Sequence, residues 1–314
     1  MQERDKDIYQ QFNRLYNEVH KRVVGNEEAM RNVIIAIFCG ENILLEGVPG
    51  VGKTLLAKTV AEALDCTFKR IQCSPDIMER DIIGSMVYDE KKKQRVLVKG
   101  PIFANIVLID EINRLAPKLQ AIFLEAMEEK TVTIEGVSYP LPQPFTVLAT
   151  QNPIEQEGTT EISEAQKDRF IFKVIMGYLT PDEEMSIAKS KFSKEPVNKI
   201  FNPAEIMIVQ NEINKNVYIS DSVMNYIIEI VNDTRQRKEF DTGASPRATI
   251  ALMKASKTFA FLDGRDYVTP NDVRQMAYPV LRHRVIFTPE AELSRMTPEK
   301  VIERILKRVE MPVD

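Results

Sequence analysis

The residues from Gly47 to Thr54 constrain the fold more than any other segment of the chain. They read Gly-Val-Pro-Gly-Val-Gly-Lys-Thr, which matches the pattern G-x-x-x-x-G-K-[ST]. An apolar run at residues 43–45 precedes this loop, and a helical pattern at residues 55–64 follows it. In that order of strand, loop and helix, backbone N–H groups wrap phosphate oxygens at the positive end of the helix. Lys53 is expected to contact the β- and γ-phosphates and Thr54 to hold Mg²⁺, whereas the alternative is a plain glycine turn.

The first 178 residues alternate short apolar runs with amphipathic stretches, as parallel strands do with their crossover helices. Strands are predicted at residues 42–46, 67–72, 106–109, 145–150 and 170–176, and a helix from Pro117. The near-continuous Ile, Val and Leu of these strands is typical of a sheet covered on both faces, which predicts an α/β domain. Residues 82–99 and 131–144 have instead the pattern of projecting β-hairpins.

The strand pattern stops after Gly177, and capped helical segments follow to the end of the chain. Each begins with a serine or threonine followed by proline or aspartate, a combination typical of a helix N-terminus. The predicted helix starts are Thr180, Ser220, Ser245, Thr269 and Thr297. We therefore expect two domains, an α/β domain over residues 1–178 and an all-helical domain over residues 179–314.

Charge and composition argue against several other classes of protein. Lys and Arg number 42 against 46 Asp and Glu, a formal charge of −4, so generic binding to polyanions is not implied. The longest apolar run, residues 33–39, is far shorter than the ~20 residues that cross a bilayer. The first residues lack a secretory signal, so a cytoplasmic location without membrane insertion is expected. The three cysteines lack C-x-x-C spacing and suggest neither disulfides nor a zinc site.

Polar side chains follow two of the predicted strands. Asp110 and Glu111 come directly after the strand at residues 106–109, and Asn152 follows the strand at residues 145–150. Adjacent carboxylates at a buried strand end are costly without a cation, which favours a site where Asp110 positions Mg²⁺ and Glu111 polarises an attacking water. Asn152 could align the same water. The alternatives are a solvated loop start for the carboxylates and a plain turn for Asn152.

Two arginines have positions from which a nucleotide could be sensed. Arg169 directly precedes the strand at residues 170–176, and an arginine supplied to a neighbour's γ-phosphate can be worth about 10³–10⁵-fold in rate. The alternative is a structural ion pair with Asp168. Arg247 lies in the first turn of a predicted helix, where the helix dipole disfavours a cation, so a compensating ligand is expected. It could report the nucleotide state to the helical domain, or be an ordinary surface arginine.

These residues together resemble a MoxR-family AAA+ ATPase. The most specific match is GPIFANIVLIDEINR at residues 100–114, together with ATQNPIEQEG at residues 149–158. Residues 159–167 depart from the family pattern, because its prolines and its tyrosine are replaced. The remaining matches lie at residues 23–27, 44–54, 124–129, 164–170 and 243–248.

The resemblance implies a three-layer αβα nucleotide-binding domain followed by a helical lid, with ATP and Mg²⁺ as cofactors and a hexameric ring that holds ATP between subunits. Residues 82–99 would then be a helix-2 insert and residues 131–144 a pre-sensor-1 hairpin, both facing the pore. The resemblance also implies that Asn152 is sensor 1, Arg169 an arginine finger and Arg247 sensor 2. It assigns contacts with the nucleotide to Val24, Gly47, Gly50, Val51, Gly52, Lys53, Thr54 and Leu55.

The leading hypothesis for function is an ATP-hydrolysing, chaperone-like protein that remodels or matures partner proteins or inserts their metal cofactors. Family members typically act with proteins that carry a von Willebrand factor A domain. No D-x-S-x-S motif is present here, so that adaptor is expected on another chain. One alternative is a nucleic-acid-dependent motor, for which residues 91–95 supply a basic run, although the net acidity argues against it. The other is a nucleotide-dependent scaffold with negligible turnover.

Overall fold

The computed structural model describes residues 3–153, 160, 162–189 and 196–312. Its helices are α1 (Glu3–His20), α2 (Glu27–Cys39), α3 (Lys53–Ala63), α4 (Glu79–Ile83), α5 (Pro117–Glu129), α6 (Glu164–Lys167), α7 (Pro181–Lys189), α8 (Pro203–Asn216), α9 (Asp221–Arg235), α10 (Pro246–Leu262), α11 (Pro270–Leu281), α12 (Pro289–Leu293) and α13 (Pro298–Arg308). Its strands are β1 (Ile43–Gly47), β2 (Phe68–Gln72), β3 (Gly84–Asp89), β4 (Gln94–Lys99), β5 (Ile106–Asp110), β6 (Thr131–Ile134), β7 (Val137–Pro140), β8 (Thr146–Gln151), β9 (Phe172–Met176), β10 (Phe240–Thr242) and β11 (Ile286–Phe287). One turn of 3₁₀-helix, Ile112–Arg114, follows β5.

Five strands form the central sheet, in the order β2-β5-β8-β1-β9. β2 pairs with β5, β5 with β8 and β8 with β1, and each of these pairs is parallel. β5 is buried at every residue, and β1 and β8 are buried at all but one, as expected for strands covered on both faces. The five strands predicted from the sequence are confirmed within two residues at each end.

Both predicted hairpins are present, each as an antiparallel pair, β3 with β4 and β6 with β7. A two-residue turn at Glu135 and Gly136 joins β6 to β7, and both residues have the positive φ that a type I′ turn requires. The two hairpins contact each other. Arg95 Nη2 lies 2.6 Å from Glu135 Oε1, and the Tyr139 hydroxyl lies 3.9 Å from the sulfur of Met86.

The C-terminal part of the described chain is mostly helical, as predicted. At the start of α9, α10, α11 and α13 a side-chain hydroxyl accepts a hydrogen bond from a backbone N–H, and α7 begins directly after Thr180. A two-stranded antiparallel ladder of β10 and β11 was not predicted. Strands of three and two residues are too short to produce the period-two pattern by which strands are recognised. The capping hydroxyls belong to Ser220, Ser245, Thr269 and Thr297.

Contacts between Cα atoms divide the chain into two compact units. As far as they are described, the first consists of residues 3–14, 163–173 and 208–312 and contains α9 to α13. The second consists of residues 15–162 and 174–207 and contains β1, β2, β5 and β8 of the central sheet. The units therefore do not follow a single border along the chain, and a border after residue 178 stays a prediction. Within the described ranges, no helix has the length and apolar character needed to span a membrane.

Candidate nucleotide-binding site

The predicted site residues of the second unit come from strand ends at one edge of the sheet. β1 ends at Gly47 and β5 at Asp110, and β8 lies between these two strands. The register pairs Glu46 with Gln151, and its continuation sets Asp110 level with Thr150. Neighbouring strands lie about 4.8 Å apart and rise about 3.3 Å per residue, which sets the end of β1 roughly 12 Å from the end of β5. The carboxyl edge of an α/β sheet is where such proteins bind their ligands.

The phosphate loop joins β1 to α3. Gly50 and Gly52 have φ of 89° and 92°, a left-handed backbone that residues with a Cβ rarely adopt. Among the residues that the structure describes, and apart from chain neighbours, no atom lies within 4 Å of where a Cβ would stand at either glycine. Lys53 is the first residue of α3, and its ammonium donates a hydrogen bond to the Gly47 carbonyl. Thr54 follows in the first turn, at the positive end of the helix dipole.

Three further residues that the resemblance assigns to the nucleotide differ in exposure. Val51, inside the loop, is buried, whereas Leu55, in the first turn of α3, is 44% exposed. Val24 is half-buried and lies between α1 and α2, directly before Gly25 and Asn26, which both have positive φ. The exposed Leu55 thus leaves apolar surface beside the loop.

Asp110 is buried at the end of β5 and is bonded through both carboxylate oxygens. Its Oδ2 accepts hydrogen bonds from Nε and Nη2 of Arg70, at 2.9 and 2.5 Å. Its Oδ1 accepts a hydrogen bond from the Thr150 hydroxyl at 2.7 Å. Arg70 lies on β2 and Thr150 on β8, which are the two neighbours of β5 in the sheet. The side chain of Asp110 is therefore held in place from both sides.

Glu111 has an unusual backbone for a residue other than glycine. Its φ and ψ are 63° and 56°, in the left-handed region, where β5 gives way to the 3₁₀ turn. Its N–H donates to Thr150 Oγ1 at 2.9 Å, and its Oε2 lies 2.8 Å from Nε of Arg114. Such a conformation costs on the order of 1–3 kcal/mol and persists only where neighbouring groups hold it, most often at functional sites. The Thr150 hydroxyl thus bridges the backbone of Glu111 and the carboxylate of Asp110.

Asn152 directly follows β8 and is buried, with 6% of its surface exposed. Continuing the register of β1 and β8 by one residue sets it beside Gly47, where the phosphate loop begins. The structure therefore brings together the phosphate loop, the carboxylate pair and Asn152. Residues 154–158 of the matching motif, and Thr159 and Glu161 of the segment that departs from the family pattern, lie outside the described residues.

Arg169 and Arg247 both lie in the first unit. Arg169 is half-buried between α6 and β9, and Arg247 is exposed at the second position of α10. The segments that carry them are joined, because the hydroxyl of Ser245 donates to Asp168 Oδ2 at 2.9 Å. Asp168 also forms an ion pair with Arg284, at 2.8 Å, whereas sequence reasoning had considered Arg169 as its partner.

Sequence reasoning missed three residues of the carboxylate site. Thr150 was assigned to a strand but to no role. The signal that could have identified it is a polar residue at the end of an apolar run, and in the structure this residue is wholly buried. Arg70 gave no signal, because its partner Asp110 is forty residues away and is reached only through the pairing of β2 with β5. Arg114 was read as part of a motif, not as the ion-pair partner of Glu111.

The groups near the carboxylates also limit what could bind there. Burial, and then the negative charges of Asp110 and Glu111, raise the pKa of the Cys73 thiol to about 12, so the thiol is protonated at neutral pH.

The described chain has no cluster of three or more His, Cys, Asp or Glu arranged to hold a metal. Mg²⁺ is usually held by one or two protein oxygens plus substrate phosphates, and the donors that fit it here are the Asp110 carboxylate and the Thr54 hydroxyl.

A glycine-rich loop after β1, two carboxylates at the end of β5 two strands away, and a helical C-terminal part define the class of AAA+ P-loop ATPases. Comparison with family models agrees. The model of the ATPase family associated with various cellular activities (AAA) matches residues 42–172, and the model of the AAA lid domain matches residues 232–305. The predicted α/β fold with a helical lid is thereby confirmed.

Similar proteins identify the family within this class. The uncharacterized protein YeaC of Bacillus subtilis is 39% identical over 98% of this chain and 97% of its own length. Chaperone MoxR1 of Mycobacterium tuberculosis is also 39% identical, over 94% of this chain and 81% of its own. A crystal structure of a protein from Cytophaga hutchinsonii that was assigned as an ATPase superposes with a TM-score of 0.91, at 41% identity, over 99% of this chain and 98% of that one. The chain belongs to the MoxR family of AAA+ ATPases.

Proposed function

We propose that this chain hydrolyses ATP to ADP and phosphate within a hexameric ring of its own copies, and that hydrolysis drives the remodelling of partner proteins. The observation that supports hydrolysis best is the left-handed backbone of Glu111, held by Thr150 at the sheet edge that carries the phosphate loop. Such a conformation is most often found at functional sites, which favours a role for the Glu111 carboxylate beyond nucleotide binding. The name of the relative Chaperone MoxR1 supports the remodelling.

In this proposal each polar residue at the strand ends has one role. Lys53 contacts the β- and γ-phosphates, and Thr54 and Asp110 hold Mg²⁺, which when bound neutralises phosphate charge. Glu111 orients and polarises the attacking water, and Asn152 aligns the same water. The remaining nucleotide contacts are assigned to Val24, Gly47, Gly50, Val51, Gly52 and Leu55.

Two substitutions separate hydrolysis from binding. Glu111→Gln keeps the size of the side chain but removes the base, so ATP should still bind while phosphate release falls by about 10²-fold or more. Lys53→Ala should bind ATP poorly, since the phosphates lose their cation. Glu90→Gln, on an exposed glutamate of the β3–β4 turn, is the matched control and should keep both properties. Titration with a fluorescent ATP analogue and a phosphate-release assay give the two readouts.

Two results of these assays would count against the assignment. Turnover at the wild-type rate in Glu111→Gln would exclude this residue as the base. Turnover that stays negligible in the wild-type chain, even above the concentration at which it assembles, would favour the scaffold hypothesis.

The ring is tested by mixing two inactive proteins. In this proposal Arg169 acts on the nucleotide of a neighbouring copy, so Arg169→Ala subunits keep an intact phosphate loop and Lys53→Ala subunits keep an intact finger. A mixture should therefore recover part of the lost activity, and the recovery should depend on total protein concentration. Activities that merely add in proportion to the mixing ratio would count against an arginine supplied by the neighbour.

We further propose that the protein acts in the cytoplasm on a client protein or metalloenzyme, with a von Willebrand factor A domain adaptor. Glu111→Gln loaded with ATP should retain its partners in lysate of the source organism, and Lys53→Ala gives the background. Recovery of an adaptor with that domain, or of a metalloenzyme, would support maturation or metal insertion. Recovery of neither, above the Lys53→Ala background, would remove the adaptor and the metal from the proposal.

One observation favours the nucleic-acid alternative enough to test it. At the tip of the β3–β4 hairpin the three lysines at residues 91–93 are exposed, and Tyr88 beside them is 60% exposed. Stacking aromatics with cations are typical of surfaces that bind single strands. Salt-sensitive stimulation of hydrolysis by single-stranded DNA, lost in Tyr88→Ala, would support a motor, and unchanged hydrolysis would reject it.

A further inference from the structure

The segment that carries Arg169 is held by a second arginine, Arg284, which follows α11. The side chain of Arg284 is only 3% exposed, and each of its five N–H donors has an acceptor. Nε donates to Asp168 Oδ1 at 2.8 Å. Four carbonyl oxygens accept the others, those of Asp168 at 3.1 Å, Phe170 at 2.6 Å, Ile171 at 2.9 Å and Val280 at 2.5 Å. Four of the five bonds thus hold the backbone and side chain of residues 168–171, on both sides of Arg169.

A neighbouring histidine adds one more hydrogen bond to this segment. His283 is buried, and burial together with the charge of Arg284 lowers its pKa well below 6.5, so the ring is neutral. Its Nε2 lies 2.9 Å from the Phe170 carbonyl, and because a carbonyl only accepts, Nε2 is the nitrogen that carries the proton.

The same carboxylate also reaches the helix that carries Arg247. Oδ2 of Asp168 accepts from the hydroxyl of Ser245 at 2.9 Å, and that hydroxyl accepts from the N–H of Arg247 at 3.1 Å. Asp168 directly precedes Arg169 in the chain, and Ser245 caps α10. Oδ2 of Asp168 therefore links the segment of Arg169 to the helix of Arg247, while Oδ1 of the same carboxylate is bound by Arg284.

Stability alone does not explain a buried guanidinium here, because well-packed apolar residues often replace a buried ion pair without loss. What an apolar residue cannot do is hold three carbonyl groups of one short segment, those of Asp168, Phe170 and Ile171, in fixed directions. An arginine that acts on a phosphate needs such support, because a misplacement of about 1 Å can cost on the order of 10²-fold in rate.

We propose that Arg284 is a positioning residue, which fixes the backbone of residues 168–171 so that Arg169 is presented to the nucleotide of a neighbouring copy. Through Asp168 and Ser245 it also sets the position of Arg169 relative to the first turn of α10, where Arg247 lies. The inference rests on the proposed function, since it gives Arg284 a role only if Arg169 acts as a finger.

The experiment compares Arg284→Met with Arg169→Ala. Arg284→Met should lower kcat by about 10²-fold and leave the Kd for ATP within about twofold, because its own phosphate loop is unchanged. Arg284→Lys keeps the positive charge but loses the planar guanidinium with its five N–H donors, so it should recover only part of kcat. Adding Arg284→Met to Arg169→Ala should cause no further loss, because both remove one function.

Mixed assemblies give a readout that a merely structural role would not move. Arg284→Met subunits should regain activity with Lys53→Ala subunits, which supply an intact finger, but not with Arg169→Ala subunits, which supply none. If Arg284→Met does not fold, as judged by circular dichroism, Ser245→Ala tests the same link through Asp168 instead. Its matched control is Ser220→Ala, which removes the hydroxyl cap of α9 but no bond to Asp168. Ser245→Ala should lower kcat several-fold more than Ser220→Ala.

The possible failures are distinguishable. If Arg169→Ala keeps the wild-type kcat, the finger role itself fails, and the inference fails with it. If Arg169→Ala is slow while folded Arg284→Met keeps the wild-type kcat, only the role of Arg284 is overturned. Rescue of Arg284→Met by Arg169→Ala subunits would overturn it as well, and so would equal kcat in Ser245→Ala and Ser220→Ala.

Discussion

The Thr150 hydroxyl offers the sharpest test of how the carboxylate pair is held. It donates to Asp110 Oδ1 at 2.7 Å and accepts from the Glu111 N–H at 2.9 Å, and the residue is wholly buried. Thr150→Val keeps the shape of the side chain and removes both bonds. A hydrogen bond to a charged group contributes about 1.5–3 kcal/mol, and a buried amide left without a partner costs about 1–3 kcal/mol. Since the added methyl group offsets part of this, we expect a net loss of about 2–4 kcal/mol.

Thermal denaturation measures this loss. For a unit of this size each kcal/mol shifts Tm by about 2–4 °C, so Thr150→Val should melt about 5–15 °C below the wild type. Thr150→Ser is the matched control, because it keeps the hydroxyl and loses only a methyl group, and it should retain most of the stability. In the phosphate-release assay, Thr150→Val should also turn over more slowly than Thr150→Ser, since Glu111 loses the bond that supports its left-handed backbone.

Two outcomes would refute this reasoning. A Thr150→Val protein within about 0.5 kcal/mol of the wild type would show that the hydroxyl does not hold the carboxylate pair, since substitutions away from such features fall in that range. Destabilisation by Thr150→Ser as large as that by Thr150→Val would show that the hydroxyl contributes no more to stability than the methyl group, because serine keeps the hydroxyl and loses only the methyl.

Three further predictions concern other parts of the chain. Glu18 accepts a hydrogen bond from Lys21, which with other donors lowers its pKa from 4.5 to about 2, so the carboxylate stabilises the fold above pH 4.5. Glu18→Gln should therefore lower Tm at pH 7, and calorimetry should show the difference shrinking as the pH falls from 4.5 towards 2. At pH 8, iodoacetamide should modify the half-buried Cys39 long before Cys73, and mass spectrometry measures the order. The reason is that the Cys73 pKa of about 12 leaves only about one thiol in 10⁴ as the reactive thiolate. Ser220→Ala should cost α9 about 0.5–2 kcal/mol in chemical denaturation, because the Ser220 hydroxyl caps that helix.

The parts of the fold that were predicted correctly are those encoded by neighbouring residues. Short apolar runs identified all five strands of the central sheet, and a serine or threonine before proline or aspartate identified the starts of α7, α9, α10, α11 and α13, whereas α8 and α12 were not predicted. The phosphate loop was recognised because its glycines need a backbone that other residues avoid, as Gly50 and Gly52 show with φ near 90°. The short ladder of β10 and β11 was missed, since two or three residues carry no period.

The candidate site was predicted only in part, for a related reason. Asp110, Glu111 and Asn152 could be named because each follows an apolar strand, and strand ends meet at one edge of a parallel sheet. The hydrogen bonds from Arg70 to Asp110 could not be predicted, because they depend on β2 lying next to β5. The hydrogen bond from Arg284 to Asp168 could not be predicted either, because it joins residues 116 positions apart.

By itself the sequence determined the strands of the central sheet, five helix starts of the C-terminal part, the phosphate-loop motif and the candidate carboxylates, because backbone preferences and burial patterns act over a few residues. Only the tertiary structure decided which side chains hold these groups in place. Hydrogen bonds reach about 3 Å, so their partners are chosen by strand order and helix placement, which no local pattern specifies. Thr150 between Asp110 and Glu111 illustrates this, since its role exists only because β8 lies beside β5.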